Sequence, residues 1–348
     1  MTDRDDTARA AGIRAAACDR LIAAAGWGAA TRRRLAGDAS NRKYDRLTEG
    51  GRSAVLMDAD PAKGEDVRPF LAIARALTER GLSAPAILAA DEAAGFLLLE
   101  DLGDDLFARV LANEPDREVE LYTAATDVLS ALHAAPPVAG LKPYDGAVMG
   151  RMAALAVEWY RRAVTGEVSD PAGFAALVEG LKAELAPGEP VMILRDFHAE
   201  NLLWLPERAG VARVGLLDFQ DAMAGNRAYD LVSMLKDARR DVSPHAEERM
   251  VMHYITANGL DEALFRAEYA FCGAQRNLRI LGVFARLSMH YGKPQYVDFI
   301  PRVWALLMRD LAHPALAPLA EAVAGLLPAP SPAGLQRIRD ECGRHPLR

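Results

Sequence analysis

The spacing of apolar residues changes character once, near residue 100, and that change limits the folds open to this chain. Before it, short strand-like pieces alternate with turns: ATRRRLAG, RKYDRLT and SAVLMDA, then PAILAAD and GFLLLED. Brief apolar runs bounded by Gly, Asn and Asp mark strands, and Gly50-Gly51 marks a tight turn between the second and third. Two helical segments flank these strands. TARAAGIRAAACDRLIAAA leads the chain, and EDVRPFLAIARALTERG puts Val67, Phe70, Ile73, Ala74 and Leu77 on one face before Gly81 stops it. After Leu102-Gly103 helical spacing dominates, in REVELYTAATDVLSALHAA, GRMAALAVEWYRRAV, FAALVEGLKAEL and most of 244–325. A Pro-rich connector, LLPAPSPAGL, then leads to a short terminal helix. The pattern predicts an α+β chain: a strand-rich unit over 1–99, a Gly-containing joint at 100–103, and a mostly helical unit over 104–348.

Composition narrows the function classes. With 48 acidic and 41 basic residues the formal charge is −7, which gives no general attraction to nucleic acid or an anionic membrane. Arg32, Arg33 and Arg34 form only a short basic run, expected at a solvated strand edge. No apolar stretch approaches the roughly 18–20 residues that span a bilayer. The opening MTDRDDTARAAG is acidic and polar, unlike a signal peptide. Cys18, Cys272 and Cys342 are odd in number and far apart, as expected for reduced or packing thiols of a cytoplasmic protein.

Two polar clusters stand out within apolar surroundings: RDFHAEN at 195–201 and LDFQDA at 217–222. Charged groups at the ends of buried strands are usually paired, metal-bound or functional. Asp196 and Asn201 are five residues apart, and Asp218 follows at the end of a further apolar run. Magnesium takes hard oxygen ligands from one or two side chains plus substrate phosphates. An Asp–Asn pair can hold such an ion while a neighbouring Asp addresses an acceptor hydroxyl, the division of labour in a kinase catalytic loop. His133 and His253, on apolar helical faces, read as packed histidines, and Trp159, Tyr160 and Trp304 as core or pocket wall.

LRDFHAEN followed by LLDFQDAMAGNRAYDLVSML resembles the aminoglycoside phosphotransferase/choline kinase-like family. Further stretches, GDASNRKYDRL, VLMDAD, LLLEDLGDDLF, EWY and QRNLRILGVFARLSMHYGKPQYVDFIPRVW, are similar to its bacterial kinases of cell-wall amino sugars. The resemblance runs from about residue 30 to 311. It implies a two-lobed protein-kinase-like fold, with a small antiparallel-sheet lobe, a helical lobe and ATP at the joint. The implied reaction moves the γ-phosphoryl group of ATP, with Mg2+, to the anomeric C1 hydroxyl of N-acetylmuramate or N-acetylglucosamine. By the same resemblance Asp196 is the catalytic Asp, and Asn201 and Asp218 are the magnesium ligands. Ser40 and Asn41 lie in the turn over the phosphates, and the backbones of Glu100 and Leu102 meet the adenine edge. Asp230 and His198 are supports of the catalytic loop. Tyr144, Asp145, Glu158, Gln275, Arg276 and Arg279 are candidates for the sugar pocket.

The chain departs from the family pattern twice. Leu194 stands where a His often opens the motif, and Met57 occupies the position of the usual phosphate-binding Lys. Arg42 or Lys43 could supply that charge. They point to opposite strand faces, and Arg42 is favoured because it shares a face with Tyr44 and Arg46. Glu65 is then the candidate acid partner. The missing Lys leaves a nucleotide-binding pseudokinase as one alternative. A kinase of the same family acting on an aminoglycoside, an amino alcohol or another sugar is the other. A cationic acceptor demands an acidic pocket, whereas 275–279 offers Gln and Arg.

Overall fold

The computed structural model describes residues 3–35 and 41–345. They form two compact units, Met1–Arg117 with Glu200–Asp221, and Glu118–Ala199 with Ala222–Arg348.

The first unit is built on an antiparallel sheet of β1 (Thr31–Arg34), β2 (Lys43–Glu49), β3 (Arg52–Asp58), β4 (Ile87–Asp91) and β5 (Phe96–Glu100), in the order β1-β2-β3-β5-β4. Gly50 and Gly51 both take positive φ, 57° and 82°, which a two-residue hairpin turn of matching twist requires, and they set Glu49 opposite Arg52. Helix α1 (Asp3–Ala24) packs Cys18 and Ile22, with Trp27, against Leu47, Ala54, Leu56, Phe96 and Leu98 on one sheet face. Met57, Leu97 and Leu99 alternate with these and are buried on the opposite face. Helix α2 (Arg68–Glu79) buries Phe70, Ile73, Ala74 and Leu77, as its spacing predicts, and α3 (Phe107–Asn113) follows the sheet. The strand edge at Arg32–Arg34 is exposed, but Arg32 and Arg34 both pair with the buried Asp45, at 2.6 and 3.1 Å.

Strands β7 (Leu202–Trp204) and β8 (Val214–Leu216) form a separate antiparallel pair in this unit. Leu216 N–H donates to Ser83 O at 2.8 Å, and Trp204 N–H to Asp105 O at 2.8 Å. Arg208 clamps the same junction, donating to Ser83 Oγ and Glu100 Oε1, each at 2.6 Å. These bonds are why residues 200–221 belong with the sheet rather than with the helices around them in sequence.

The second unit contains α4 (Glu118–His133), α5 (Gly146–Leu155), α6 (Arg162–Thr165), α7 (Ala172–Leu185), α8 (Ala228–Leu235), α9 (Pro244–Asn258), α10 (Glu262–Met289), α11 (Ile300–Leu311), α12 (Ala317–Leu326) and α13 (Pro332–Asp340). One short antiparallel pair, β6 (Val191–Ile193) with β9 (Met223–Gly225), sits among them. Helix α10 is buried along most of its 28 residues and is the spine of this unit. Trp159 and Tyr160 are buried in a π-helical turn, 156–161, between α5 and α6.

Candidate active site

Asp196 sits on an abrupt turn at the end of β6. Arg195 has φ 72°, and Asp218 has φ 55°; among the described residues these are the non-glycine residues with positive φ. Such backbone is disfavoured for residues with a Cβ, and it collects at functional sites where the surroundings over-determine it. At Arg195 the restraint is explicit. Leu194 N–H donates to Asp230 Oδ2 at 2.5 Å and Arg195 N–H to Oδ1 at 2.8 Å, so one carboxylate holds two consecutive amides. Ser233 Oγ donates to Arg195 O at 3.2 Å, and Arg276 Nη2 donates to Ser233 Oγ at 2.8 Å. Asp230 is fully buried, and burial raises its pKa to about 7 while the two amide donors pull it down. It accepts through both oxygens and serves as a bracket for the loop.

His198 is buried, with Nε2 3.4 Å from Arg239 Nη1. Burial lowers its pKa to about 4, so it is neutral near pH 7. Leu194, at the family His position, is buried and joins the core.

In the first unit, Asn201 and Asp218 flank the β7–β8 pair, and Leu217 N–H donates to Asn201 O at 3.0 Å. Gln220 Nε2 donates to Asp218 Oδ1 at 2.7 Å, a contact the motif did not announce. Phe219 is buried and its ring lies 4.8 Å from that of Phe70 on α2, which anchors the segment that carries Asp218. No group of three or more His, Cys, Asp or Glu able to hold a metal occurs among the described residues. One amide oxygen and one carboxylate instead offer part of a hard-oxygen shell, of the kind magnesium completes with phosphate and water. The donor set fits that ion.

Of the expected nucleotide-side residues, Ser40 lies outside the described residues. Asn41 N–H donates to Glu65 Oε1 at 3.1 Å, and Arg42 Nε donates to Glu65 Oε2 at 2.9 Å. Glu65 therefore gathers the segment after the turn, ahead of α2. Lys43 lies opposite Asp58 on the α1 side of the sheet, exposed, and lines a cavity of about 750 Å³ with Arg14, Cys18, Arg32 and Phe96. Arg42 and Lys43 thus face apart, as strand alternation requires.

Glu100 ends β5, and its N–H donates to Ala86 O at 2.8 Å. Leu102 lies over Gly215 of β8, where a Cβ would approach Leu102 Cδ1 to 3.1 Å. The segment after β5 is held by Arg46, whose guanidinium contacts Asp101 and Asp104 at 2.7 Å each. Arg46 holds the Asp104 carboxyl below its ordinary range. Neither Arg46 nor Arg208 was singled out from sequence for these clamps; the acidic run around Gly103 was the only local signal.

The acceptor candidates separate. Tyr144, Gln275 and Arg279 join Tyr229 in one chain of polar contacts. Gln275 Nε2 donates to Tyr144 Oη at 3.3 Å, the Tyr144 and Tyr229 hydroxyls are 3.4 Å apart, and Arg279 Nη1 donates to Tyr229 Oη at 3.4 Å. Arg276 instead supports the Asp196 loop through Ser233. Asp145 caps α5 by accepting from Val148 N–H at 2.9 Å, and Glu158 is exposed on the π-helical turn.

These features belong to a known class. The chain is a member of the phosphotransferase enzyme family, whose model matches residues 31–267, and it is accordingly a phosphoryl-transferring enzyme. Its fold is that of the kinase-like phosphotransferases. A choline/ethanolamine kinase family protein from Mesorhizobium loti matches with a TM-score of 0.57 at 16% identity, over 95% of this chain and 99% of that one. An ADP-bound aminoglycoside phosphotransferase matches at 0.54 and 15%, over 80% and 92%.

Among sequence relatives, the N-acetylmuramate/N-acetylglucosamine kinase of Caulobacter vibrioides is 41% identical over 88% of this chain and 94% of its own length. The protein of the same name from Pseudomonas aeruginosa is 35% identical over 88% and 92%.

Proposed function

We propose that this phosphotransferase is an ATP-dependent amino-sugar kinase acting on the C1 hydroxyl of N-acetylmuramate or N-acetylglucosamine. The observation that supports the acceptor is the 41% identity to the Caulobacter kinase across 94% of that protein. Asp196 is the catalytic residue: it orients the acceptor hydroxyl and takes its proton as the phosphorus–oxygen bond forms and ADP leaves. A carboxylate is a weak base, but phosphoryl transfer asks mainly for positioning and charge neutralisation. An anomeric hydroxyl is also more acidic than other sugar hydroxyls.

Asn201 and Asp218 hold Mg2+, which when bound neutralises phosphate charge and polarises the transferring group. Ser40 and Asn41 cover the phosphates, and Arg42, oriented by Glu65, supplies the cation in place of the usual Lys. The backbones of Glu100 and Leu102 take the adenine edge, and 100–103 is the hinge between lobes 1–99 and 104–348. Asp230 is structural, as is His198. The product, an amino-sugar 1-phosphate, suits return of cell-wall sugars to nucleotide sugars in the cytoplasm.

Incubation with magnesium-ATP and a panel of amino sugars, choline and an aminoglycoside, read by phosphorus NMR, tests the assignment. Phosphate on C1 of the N-acetylated sugars is the expected result. Phosphate on another acceptor, or nucleotide binding with no turnover, overturns it.

A further inference from the structure

The Arg279 guanidinium is an unusual feature for a kinase site built around a carboxylate. It stands three residues along α10 from Arg276, whose guanidinium reaches the Asp196 loop through Ser233, and a guanidinium stays charged at any ordinary pH. No ion pair with a carboxylate holds it among the described residues. Its hydrogen bond there is a long one, 3.4 Å, to the Tyr229 hydroxyl. A guanidinium has five N–H donors in a fork that matches a carboxylate, and a bidentate charged pair is the strong way to use it.

Its position is fixed from behind. Tyr229 stacks edge-on against Tyr144, with ring centroids 4.9 Å apart, and both rings are fully or nearly fully buried. Tyr144 is in turn tied to Gln275, which also donates to Met149 O at 2.9 Å. The arrangement is a buried backing that holds one cation on α10, a turn from the arginine that braces the Asp196 loop, with a single long hydrogen bond on its fork.

We infer that Arg279 is the acceptor-reading residue of this enzyme: it binds the lactyl carboxylate of N-acetylmuramate and sets the preference for that acid over N-acetylglucosamine. The inference rests on the amino-sugar kinase reading above. The two sugars differ only in the lactyl arm on O3, which stands in a 1,3 relation to the C1 hydroxyl on the pyranose ring. With C1 hydroxyl at Asp196, the arm is the group that meets a neighbouring cation. The same cation repels acceptors that carry ammonium groups, so it selects by charge in both directions.

The test compares kcat/KM for N-acetylmuramate, its neutral methyl ester and N-acetylglucosamine, in the wild type, Arg279→Gln and Arg279→Lys. In the wild type the ester is poorer than the acid. Arg279→Gln lowers kcat/KM for the acid about 10–10²-fold, the scale of a hydrogen-bonded charge pair. The ester and N-acetylglucosamine change much less, and Arg279→Lys recovers part of the loss. Equal losses on all three substrates show a structural role and overturn the inference. So does a wild type that treats acid and ester alike, a result that needs no variant to fold. A wild type that phosphorylates neither sugar overturns the amino-sugar reading itself and takes this assignment with it.

Discussion

Replacing Arg42 with Ala tests how this chain manages without the usual phosphate-binding Lys. Arg42 and Glu65 are 12% and 13% exposed and meet at 2.9 Å, with Asn41 N–H closing on the other carboxylate oxygen at 3.1 Å. Removing the guanidinium has two separable consequences. It leaves Glu65 with one donor in a largely buried setting, which costs about 1–3 kcal/mol of stability. On the proposed assignment it also removes a cation from the phosphates, and losing one transition-state charge donor lowers turnover about 10²–10³-fold, or roughly 2.7–4 kcal/mol. Steady-state kcat/KM for ATP gives the second quantity, and a urea or thermal unfolding curve gives the first. Lys43→Ala is the internal comparison. Its side chain is exposed on the α1 face opposite Asp58, so neither quantity should move by more than a few tenths of a kcal/mol. Glu65→Gln keeps an acceptor for both donors but loses the charge, and it should fall between the two. Equal, small losses from Arg42→Ala and Lys43→Ala in folded proteins refute the reasoning.

Asp196→Asn should lower kcat by about 10²–10⁴-fold while equilibrium binding of magnesium-ATP is unchanged; near-normal turnover removes Asp196 from the catalytic role. Asp218→Ala takes away a hard oxygen ligand, so nucleotide affinity should lose much of its dependence on magnesium, and an unaltered dependence in titrations refutes the ligand assignment. His133 is buried against the Tyr254 hydroxyl at 2.6 Å, and burial lowers its pKa to about 3. Its folded pKa lies below the unfolded value of about 6.5, so the unfolded state binds more protons between the two. Stability is therefore complete above that range and falls with pH, by about 2 kcal/mol at pH 5. In His133→Leu the difference between the unfolding free energies from urea curves at pH 7 and pH 5 should shrink by that amount; an undiminished difference assigns the acid lability to other groups.

Much of the local structure was legible because it depends on neighbours in sequence. Gly50-Gly51 could only be a turn, the apolar face of α2 follows from spacing, and strand alternation alone separates Arg42 from Lys43. The contacts that hold the site together were not legible, because they join distant residues of ordinary type. Arg208 reaches Glu100 across 108 positions, and Arg46 reaches Asp104 across 58. Asp145 has the right residue type for a pocket but is used as a helix cap, a role that any Asp can fill.

The least legible feature is also the most chemical one. No propensity marks Arg195 for φ 72°, since a side chain of that kind disfavours left-handed backbone at a cost of about 1–3 kcal/mol. The fold overcomes that cost with partners remote in sequence: Asp230 from 35 positions away, Ser233 from 38, and Arg276 from 43 beyond Ser233. Two amide hydrogen bonds to the Asp230 carboxyl, at about 0.5–1.5 kcal/mol each for ordinary bonds, are together of the size needed. The motif thus names Asp196, but the bend that carries it exists only once α8 and α10 are in place. Loosening any one of those partners should therefore move the Asp196 carboxylate before it unfolds the chain.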